Sequence, residues 1–263
     1  MSANSTSDAG RLHFHRLERH SVLEIDHPRR RNAMSHAMWV DLPNQLANLD
    51  GSERALVLRG AGGTFCAGAN IAEFLDLVKD PEAIRENQAV LERAQLALEC
   101  APCPVVAQIQ GSCFGGGLGL ALACDFRIAE ADCRFAITPA RLGIVYSLAD
   151  THRLHRTVGA VMCREMLLNA RVLDAGEALA AGLVNRVVEP GQAAEAVEAW
   201  VAELRRHSGF SQRAIKRNIN FIEGVGDDTP ESLHELLLAG FAGDELTEGA
   251  EAFLAKREPD FER

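Results

Sequence analysis

Two short stretches of the chain carry residue types whose spacing suits chemistry at a carbonyl. Gly115, Gly116 and Gly117 run directly into a Leu/Ala-rich segment that ends at Cys124-Asp125, the pattern of a buried helix. Glycine lets a backbone N–H approach a ligand atom with no β-carbon in the way, and the start of a helix adds positive potential. Both properties suit an oxygen that gains negative charge. Alone, such a run is more often a tight turn packed on a neighbouring element. The second stretch, Thr64-Phe65-Cys66-Ala67-Gly68-Ala69-Asn70-Ile71, follows the apolar run Ala55-Leu56-Val57-Leu58 and the pair Gly62-Gly63. A buried strand that ends in a glycine loop puts the loop at the strand's carboxyl end, where open α/β layers take their ligands.

The polar groups that could join them cluster in Thr138-Pro139-Ala140-Arg141-Leu142-Gly143-Ile144-Val145-Tyr146-Ser147-Leu148-Ala149-Asp150-Thr151-His152, which holds the single tyrosine of the chain. Tyr146 could act through its hydroxyl, or be a half-buried aromatic bonded to a backbone group. Asp150 and His152 are candidates for acid/base work, although Asp150 also fits the N-cap of a helix beginning near Thr151. His152 and His155 share one helix face, but no acidic cluster beside them suggests a metal. Arg141 could pair with a carboxylate on substrate or protein.

Taken together, the two strand-and-glycine-turn units resemble the enoyl-CoA hydratase/isomerase family, also called the crotonase family. The resemblance extends from about residue 20 to the C-terminus through Arg31-Asn32-Ala33-Met34, Pro104-Val105-Val106-Ala107, Cys124-Asp125 and Ala181-Gly182-Leu183-Val184. It implies an acyl-CoA thioester substrate whose carbonyl oxygen is held by the N–H groups of Ala69 and Gly116. One such donor is worth about 3–4 kcal/mol to a transition state. It also implies a substrate and CoA site formed around Arg31, Ala33, Ala67, Asn70, Ile71, Gly119 and Ala140, no metal, and no cofactor beyond the CoA of the substrate. Lys256 matches a lysine that serves CoA bound in or next to an adjacent subunit, in a homotrimer or a dimer of trimers. It is equally readable as a solvated helix lysine.

The family's hydratases hold a water between two glutamates, and here those positions are Gly119 and Ala140. Neither can carry a proton. Ser147 stands where the dienoyl isomerases keep an aspartate. Glycine inside a helix costs roughly 1 kcal/mol against alanine, so Gly119 points to a steric or functional demand. With Ala140 also small, extra volume is expected there, enough for a branched or carboxylated acyl group. Thr138, Pro139, Leu142, Gly143 and Tyr146 reproduce a pattern of the family's methylmalonyl-CoA decarboxylases, in which the tyrosine orients the carboxylate that is lost. The expected activity is therefore stabilisation of a thioester enolate, with decarboxylation or another lyase or isomerase reaction ahead of standard hydration. The alternatives are a hydratase with a non-standard acid/base group and a silent CoA-thioester binder or assembly subunit.

Composition frames these expectations. The 263 residues suffice for a full core, and Lys+Arg 27 against Asp+Glu 37 leaves a net charge of -10, which disfavours a nucleic-acid or anionic-membrane surface. Seven cysteines in apolar contexts suit free thiols in a reducing, cytoplasmic setting. No charge falls between Glu99 and Asp125, yet prolines, glutamines and glycines within that run favour a buried strand and helix over a membrane span. Residues 1–10 read as a disordered tail. Residues 11–191 alternate strand and helix, an α/β core that the resemblance sharpens to a spiral of ββα units. Residues 192–263 read as helices over 193–206, 211–221, 232–239 and 247–257, an oligomerisation region by resemblance.

Overall fold

The computed structural model describes residues 10–18, 20–71, 73, 77 and 79–261; the expected tail lies outside them except for Gly10. Alternating apolar residues build an antiparallel hairpin of β1 (Arg11–Arg16) and β2 (Ser21–Asp26). It forms the edge of a six-stranded sheet that continues in parallel through β3 (Leu56–Gly60), β4 (Val105–Ile109), β6 (Phe126–Glu130) and β9 (Arg186–Val188). All five residues of β4 are buried, as expected of a parallel strand covered on both faces. One face, with Val22, Val57, Val106 and Ile128, packs under Val197 and Val201 of α7 (Ala193–Arg205). The other, with Leu23, Ile25, Leu56 and Leu58, joins the main core with Trp39, Phe65, Leu98 and Phe135.

A smaller sheet was not foreseen from sequence: β5 (Ser112–Phe114) pairs in parallel with β7 (Arg134–Ala136), and β7 pairs antiparallel with β8 (Val172–Asp174). These strands have three residues each, too short for a period-2 pattern to register. Gly111, with φ 59°, turns the chain from β4 into β5. Strand, turned strand and helix then recur, giving the expected spiral of ββα units with a helical C-terminal region.

The helices before the site are α1 (His36–Leu46), capped by Ser35, and α2 (Pro81–Glu99), capped by Asp80 with Pro81 at its first position. They pack against each other. Helix α3 (Gly116–Leu122) follows the glycine run, α4 (Pro139–Leu142) is a single turn, and α5 (Leu148–Leu168) and α6 (Ala175–Ala180) complete the core. Beyond α7 come α8 (Gly209–Ile222), α9 (Pro230–Ala242) and α10 (Asp244–Ala255), close to the four helices expected. Lys216 anchors α8 from within: its Nζ donates to Asp125 Oδ2 at 2.7 Å and to the Cys103 carbonyl at 3.1 Å. The same carboxylate oxygen accepts the Val105 N–H at 2.7 Å, tying the end of α3 to the start of β4.

All seven cysteines are free. Burial pushes the Cys66, Cys103, Cys124 and Cys133 thiols up to about 12, leaving them as inert packing groups. The uncharged run 100–124 becomes β4, β5 and α3 inside the core, and among the described residues no helix is long and apolar enough to cross a membrane.

Candidate active site

The first glycine loop is held by a buried asparagine. Asn32 donates through its side-chain amide to the carbonyls of Ala61 (2.8 Å) and Thr64 (2.6 Å) and accepts the His27 N–H (2.9 Å). From there the chain runs beside β5, with the Phe65 N–H on the Gln110 carbonyl and the Cys66 N–H on the Ser112 carbonyl. The Arg31 carbonyl takes the Ala67 N–H at 3.0 Å, the Met34 N–H donates to the Gly68 carbonyl at 2.8 Å, and the Met34 carbonyl takes the Asn70 N–H at 2.9 Å. Between them the Ala69 N–H has no acceptor among the described residues. Gly68 has φ +108°, a conformation that favours glycine.

The second loop requires its glycines for separate reasons. Gly115 caps α3 at φ 50°. A β-carbon on Gly117 would meet the Cys66 carbonyl oxygen at 2.5 Å, so close approach of the two loops demands its absence. Gly116 opens α3, where the N–H has no acceptor one turn earlier, and among the described residues none takes it. A β-carbon built on Gly116 would stand 3.7 Å from the Ala69 nitrogen, and one on Gly68 would stand 3.7 Å from the Gly116 nitrogen. The two expected donors therefore border one space, with Trp39 Cζ2 3.1 Å from the Gly116 β-carbon position. The indole N–H of Trp39 is buried without a partner among the described residues. Beside Ala69 a small pocket of about 10 Å³ is lined by Met34, Trp39, Asn70, Glu73 and Asn87 among others. Glu73 fixes its wall by accepting the His36 N–H at 2.8 Å and the Asn70 amide at 2.7 Å.

One helical turn further, the expected extra volume is absent. A β-carbon on Gly119 would lie 2.5 Å from Gln95 Nε2, 3.1 Å from Asp150 Oδ1 and 3.3 Å from Tyr146 Oη. Gln95, from α2, fills the space, and Gly119 is small because that amide is there. Ala140 does not add to a cavity either, since it is exposed on α4.

The expected N-cap role of Asp150 is also corrected. Helix α5 begins at Leu148 with Ser147 as its cap, and Asp150 sits one turn inside, its N–H on Ser147 Oγ at 3.0 Å. Its carboxylate accepts Ser147 Oγ at 2.8 Å and Arg153 at 3.1 Å. Arg153 in turn donates to Gln95 Oε1 at 2.9 Å and to Glu99 at 2.6 Å, and Glu99 also receives Arg156 at 2.8 Å. Burial alone would lower the Arg153 guanidinium, but Glu99 and Asp150 hold it above its usual value. Burial, reinforced by the Asp150 charge, pushes the Tyr146 hydroxyl well above its ordinary range. That hydroxyl makes only a long contact, 3.5 Å, to the Gly115 carbonyl, so Tyr146 is both half-buried on a backbone group and part of the cluster.

The remaining expected residues are distributed unevenly. Asn70 is buried and accepts Arg30 at 3.1 Å, Ala33 is buried, and Ala67 is half-buried in the loop. Arg31 and Ile71 are exposed. Lys256 is exposed at the end of α10 with φ 52°, and its side chain has no partner among the described residues. His152 and His155 point to solvent on the outer face of α5, which removes His152 as an acid/base candidate, and Arg141 donates to the Ala170 carbonyl at 2.9 Å. Gln95, Glu99 and Arg153 escaped sequence reading. A signal existed: Gln95 falls on the same face of α2 as Leu91, Ala94 and Leu98, a polar residue in an apolar stripe.

The model of the enoyl-CoA hydratase/isomerase family matches residues 18–263. The chain belongs to this family. It is 36% identical over 247 residues to a putative enoyl-CoA hydratase of Thermus thermophilus, covering 92% of this chain and 96% of that one. It is 29% identical over 253 residues to the methylmalonyl-CoA decarboxylase of Escherichia coli, covering 92% and 94%. A crystal structure of a putative family member from Hyphomonas neptunium superposes with a TM-score of 0.87 at 36% identity, covering 95% of this chain and 97% of that one. Family membership makes this an acyl-CoA-processing protein of an enzymatic family.

Proposed function

We propose that the protein is an acyl-CoA lyase or isomerase that polarises a thioester between the N–H groups of Ala69 and Gly116 and moves a proton through Asp150. The observation that carries this is the Asp150 carboxylate 3.1 Å from the Gly119 β-carbon position. A carboxylate is thus supplied from α5 to the space that a side chain on α3 would otherwise enter. Neither donor has an acceptor among the described residues, so both meet an oxyanion without rearrangement, which is the condition for large electrostatic stabilisation. Asp150 takes a proton from the acyl chain as the thioester oxygen gains charge, and returns it at another carbon or to a leaving group. The serine and arginine on its oxygens hold it in one orientation for the first of these steps. Tyr146, held protonated, serves as a donor and not as a base. Two-glutamate hydration has no counterpart here, because Gly119 and Ala140 carry no acid.

Decarboxylation is the second reading, favoured by Tyr146 in its Thr138-Pro139 context and by the likeness to a methylmalonyl-CoA decarboxylase. The Asp150 charge weighs against a substrate carboxylate in the same space. Crotonyl-, 3-enoyl-, malonyl- and methylmalonyl-CoA, followed by mass spectrometry, separate the readings. Asp150→Asn is expected to lower kcat by about 10²–10⁴, the usual worth of a positioned acid or base. Undiminished turnover in that variant overturns the leading reading, and loss of methylmalonyl-CoA turnover in Tyr146→Phe alone establishes the second.

The same reading takes no cofactor beyond CoA and a cytoplasmic setting. A homotrimer or dimer of trimers is supported by the apolar side chains that α9 and α10 leave bare, Phe241 at 70%, Phe253 at 82% and Leu254 at 80% exposure. In such an assembly Lys256 serves CoA at an adjacent subunit. Light scattering on the eluting protein tests the assembly.

A further inference from the structure

The far end of α3 from Gly116 borders a second cavity, of about 500 Å³, enclosed by the start of β6, α5 and α8. Leu122, Phe126, Leu204, Ile215 and Ile219 give it apolar walls, and Ile215 and Ile219 are about half exposed at its rim. Ala69, Gly116, Tyr146 and Asp150 take no part in it, and the seven residues of α3 put about 10 Å of helix between it and the Gly116 N–H. Six charged side chains also line it, and five of them are matched. Lys216 pairs with Asp125 at 2.7 Å, and Arg156 pairs with Glu99 at 2.8 Å and with Glu223 at 3.0 Å. The sixth is Arg127.

Arg127 is 8% exposed and forms no ion pair among the described residues. Its Nε donates to the Leu183 carbonyl at 2.8 Å, and its Nη1 to the carbonyls of Ala121 at 3.1 Å and Cys124 at 2.7 Å. Those bonds cap the carboxyl end of α3, whose dipole offsets part of the charge, and they account for two of the three guanidinium nitrogens. Nη2 has no acceptor among the described residues and is not sealed from the cavity. An arginine this deep in a protein is ordinarily paired with an acid, and burial here lowers its affinity for the proton. Lys216, 7% exposed on the same wall, uses two of its three N–H bonds on Asp125 and the Cys103 carbonyl and keeps the third. We infer that this cavity binds a small carboxylic acid as its anion, with the carboxylate on Arg127 Nη2 and the remaining Lys216 N–H and a short hydrocarbon chain against Leu204, Ile215 and Ile219. A few converging polar groups in an apolar cavity of this size are the usual make-up of a small-molecule site. Binding there is independent of the thioester site and of the proposed reaction. A bare inorganic anion would meet the charge but leave the apolar walls wet.

The test is a ligand-observed NMR titration with hexanoate, acetate, hexan-1-ol and hexylamine. Hexanoate is expected to bind about ten-fold more tightly than hexan-1-ol or hexylamine, the worth of one hydrogen bond to a charged group. It should exceed acetate by at least about ten-fold, because acetate lacks the methylenes that the walls bury. Saturating butyryl-CoA should displace none of it. Arg127→Gln removes the charge and Ile219→Trp fills the cavity from α8, and each should weaken hexanoate by about ten-fold or more. Ile219→Trp alters a half-exposed position, so it decides the matter even where Arg127→Gln fails to fold. Absence of hexanoate binding, equal binding of hexan-1-ol or acetate, displacement by butyryl-CoA, or unchanged hexanoate affinity in Ile219→Trp each overturns the inference.

Discussion

The amide nitrogen of Gln95 lies 2.5 Å from the point at which a β-carbon on Gly119 would stand. The two residues come from different helices, and each sets the permitted size of the other. Alanine at 119 gains about 1 kcal/mol of helix propensity but overpacks against an amide that Arg153 holds in place, at a cost of about 1–3 kcal/mol. Gly119→Ala is therefore expected to lower the urea midpoint, and Gln95→Ser in the same chain to restore it. A midpoint raised by Gly119→Ala alone would show that Gln95 moves aside freely.

The proposed oxyanion donor on α3 can be removed without touching a functional side chain. Proline is tolerated at the first position of a helix because its missing N–H is unpaired there anyway. Gly116→Pro should thus spare α3 and lower kcat by about 10²–10³, read on whichever substrate the panel reveals. Gly116→Ala introduces the same β-carbon 3.1 Å from Trp39 and keeps the N–H, so it reports the steric share of the loss. Equal losses in the two variants would remove the donor role.

Tyr146 is the single tyrosine of the chain, so near-ultraviolet titration reads it alone. Burial and the Asp150 charge raise its folded value above the ordinary 10.0, while the unfolded chain ionises near that value. Below 10.0 both states keep the proton; as pH rises from there toward the folded value only the unfolded chain loses it, and stability falls. Tyrosinate should appear only together with unfolding, and Tyr146→Phe should flatten the alkaline fall in Tm. Asp150→Asn should bring the onset of ionisation to lower pH.

Arg153 compensates two buried carboxylates at once. Arg153→Leu leaves Glu99 with Arg156 alone and Asp150 with a serine, and loss of one partner from a buried ionic cluster costs about 3–5 kcal/mol. Chemical denaturation at neutral pH should show a loss of that order. A change below about 1 kcal/mol would mean that water already compensates these charges.

The sequence made the large sheet, the two glycine turns and the C-terminal helices readable, because each rests on local signals: apolar runs, left-handed glycines and helix caps. The approach of the Ala69 and Gly116 turns to one another could be expected for the same reason, since glycines mark both turns. What happens at Gly119 could not be read. A missing side chain suggests a cavity only if nothing else enters, and Gln95 enters from 24 residues upstream in a different helix. The start of α5 was misplaced because Ser147 and Asp150 are both good capping residues, and the reciprocal bond between them decides which one caps.

The proposed electrophile-holding half of the site consists of main-chain groups, fixed by Asn32, Gly68 and the approach of Gly117 to Cys66. The proposed proton-handling half consists of side chains on α2, on α5 and, at Tyr146, on the segment just before α5. These two halves are therefore separable by substitution. Under the proposed function, reaction type is set at positions 95, 119, 146 and 150, which meet at one place, apart from the main-chain groups that would polarise the thioester, so libraries confined to those four positions are the ones to screen for new acyl-CoA chemistry.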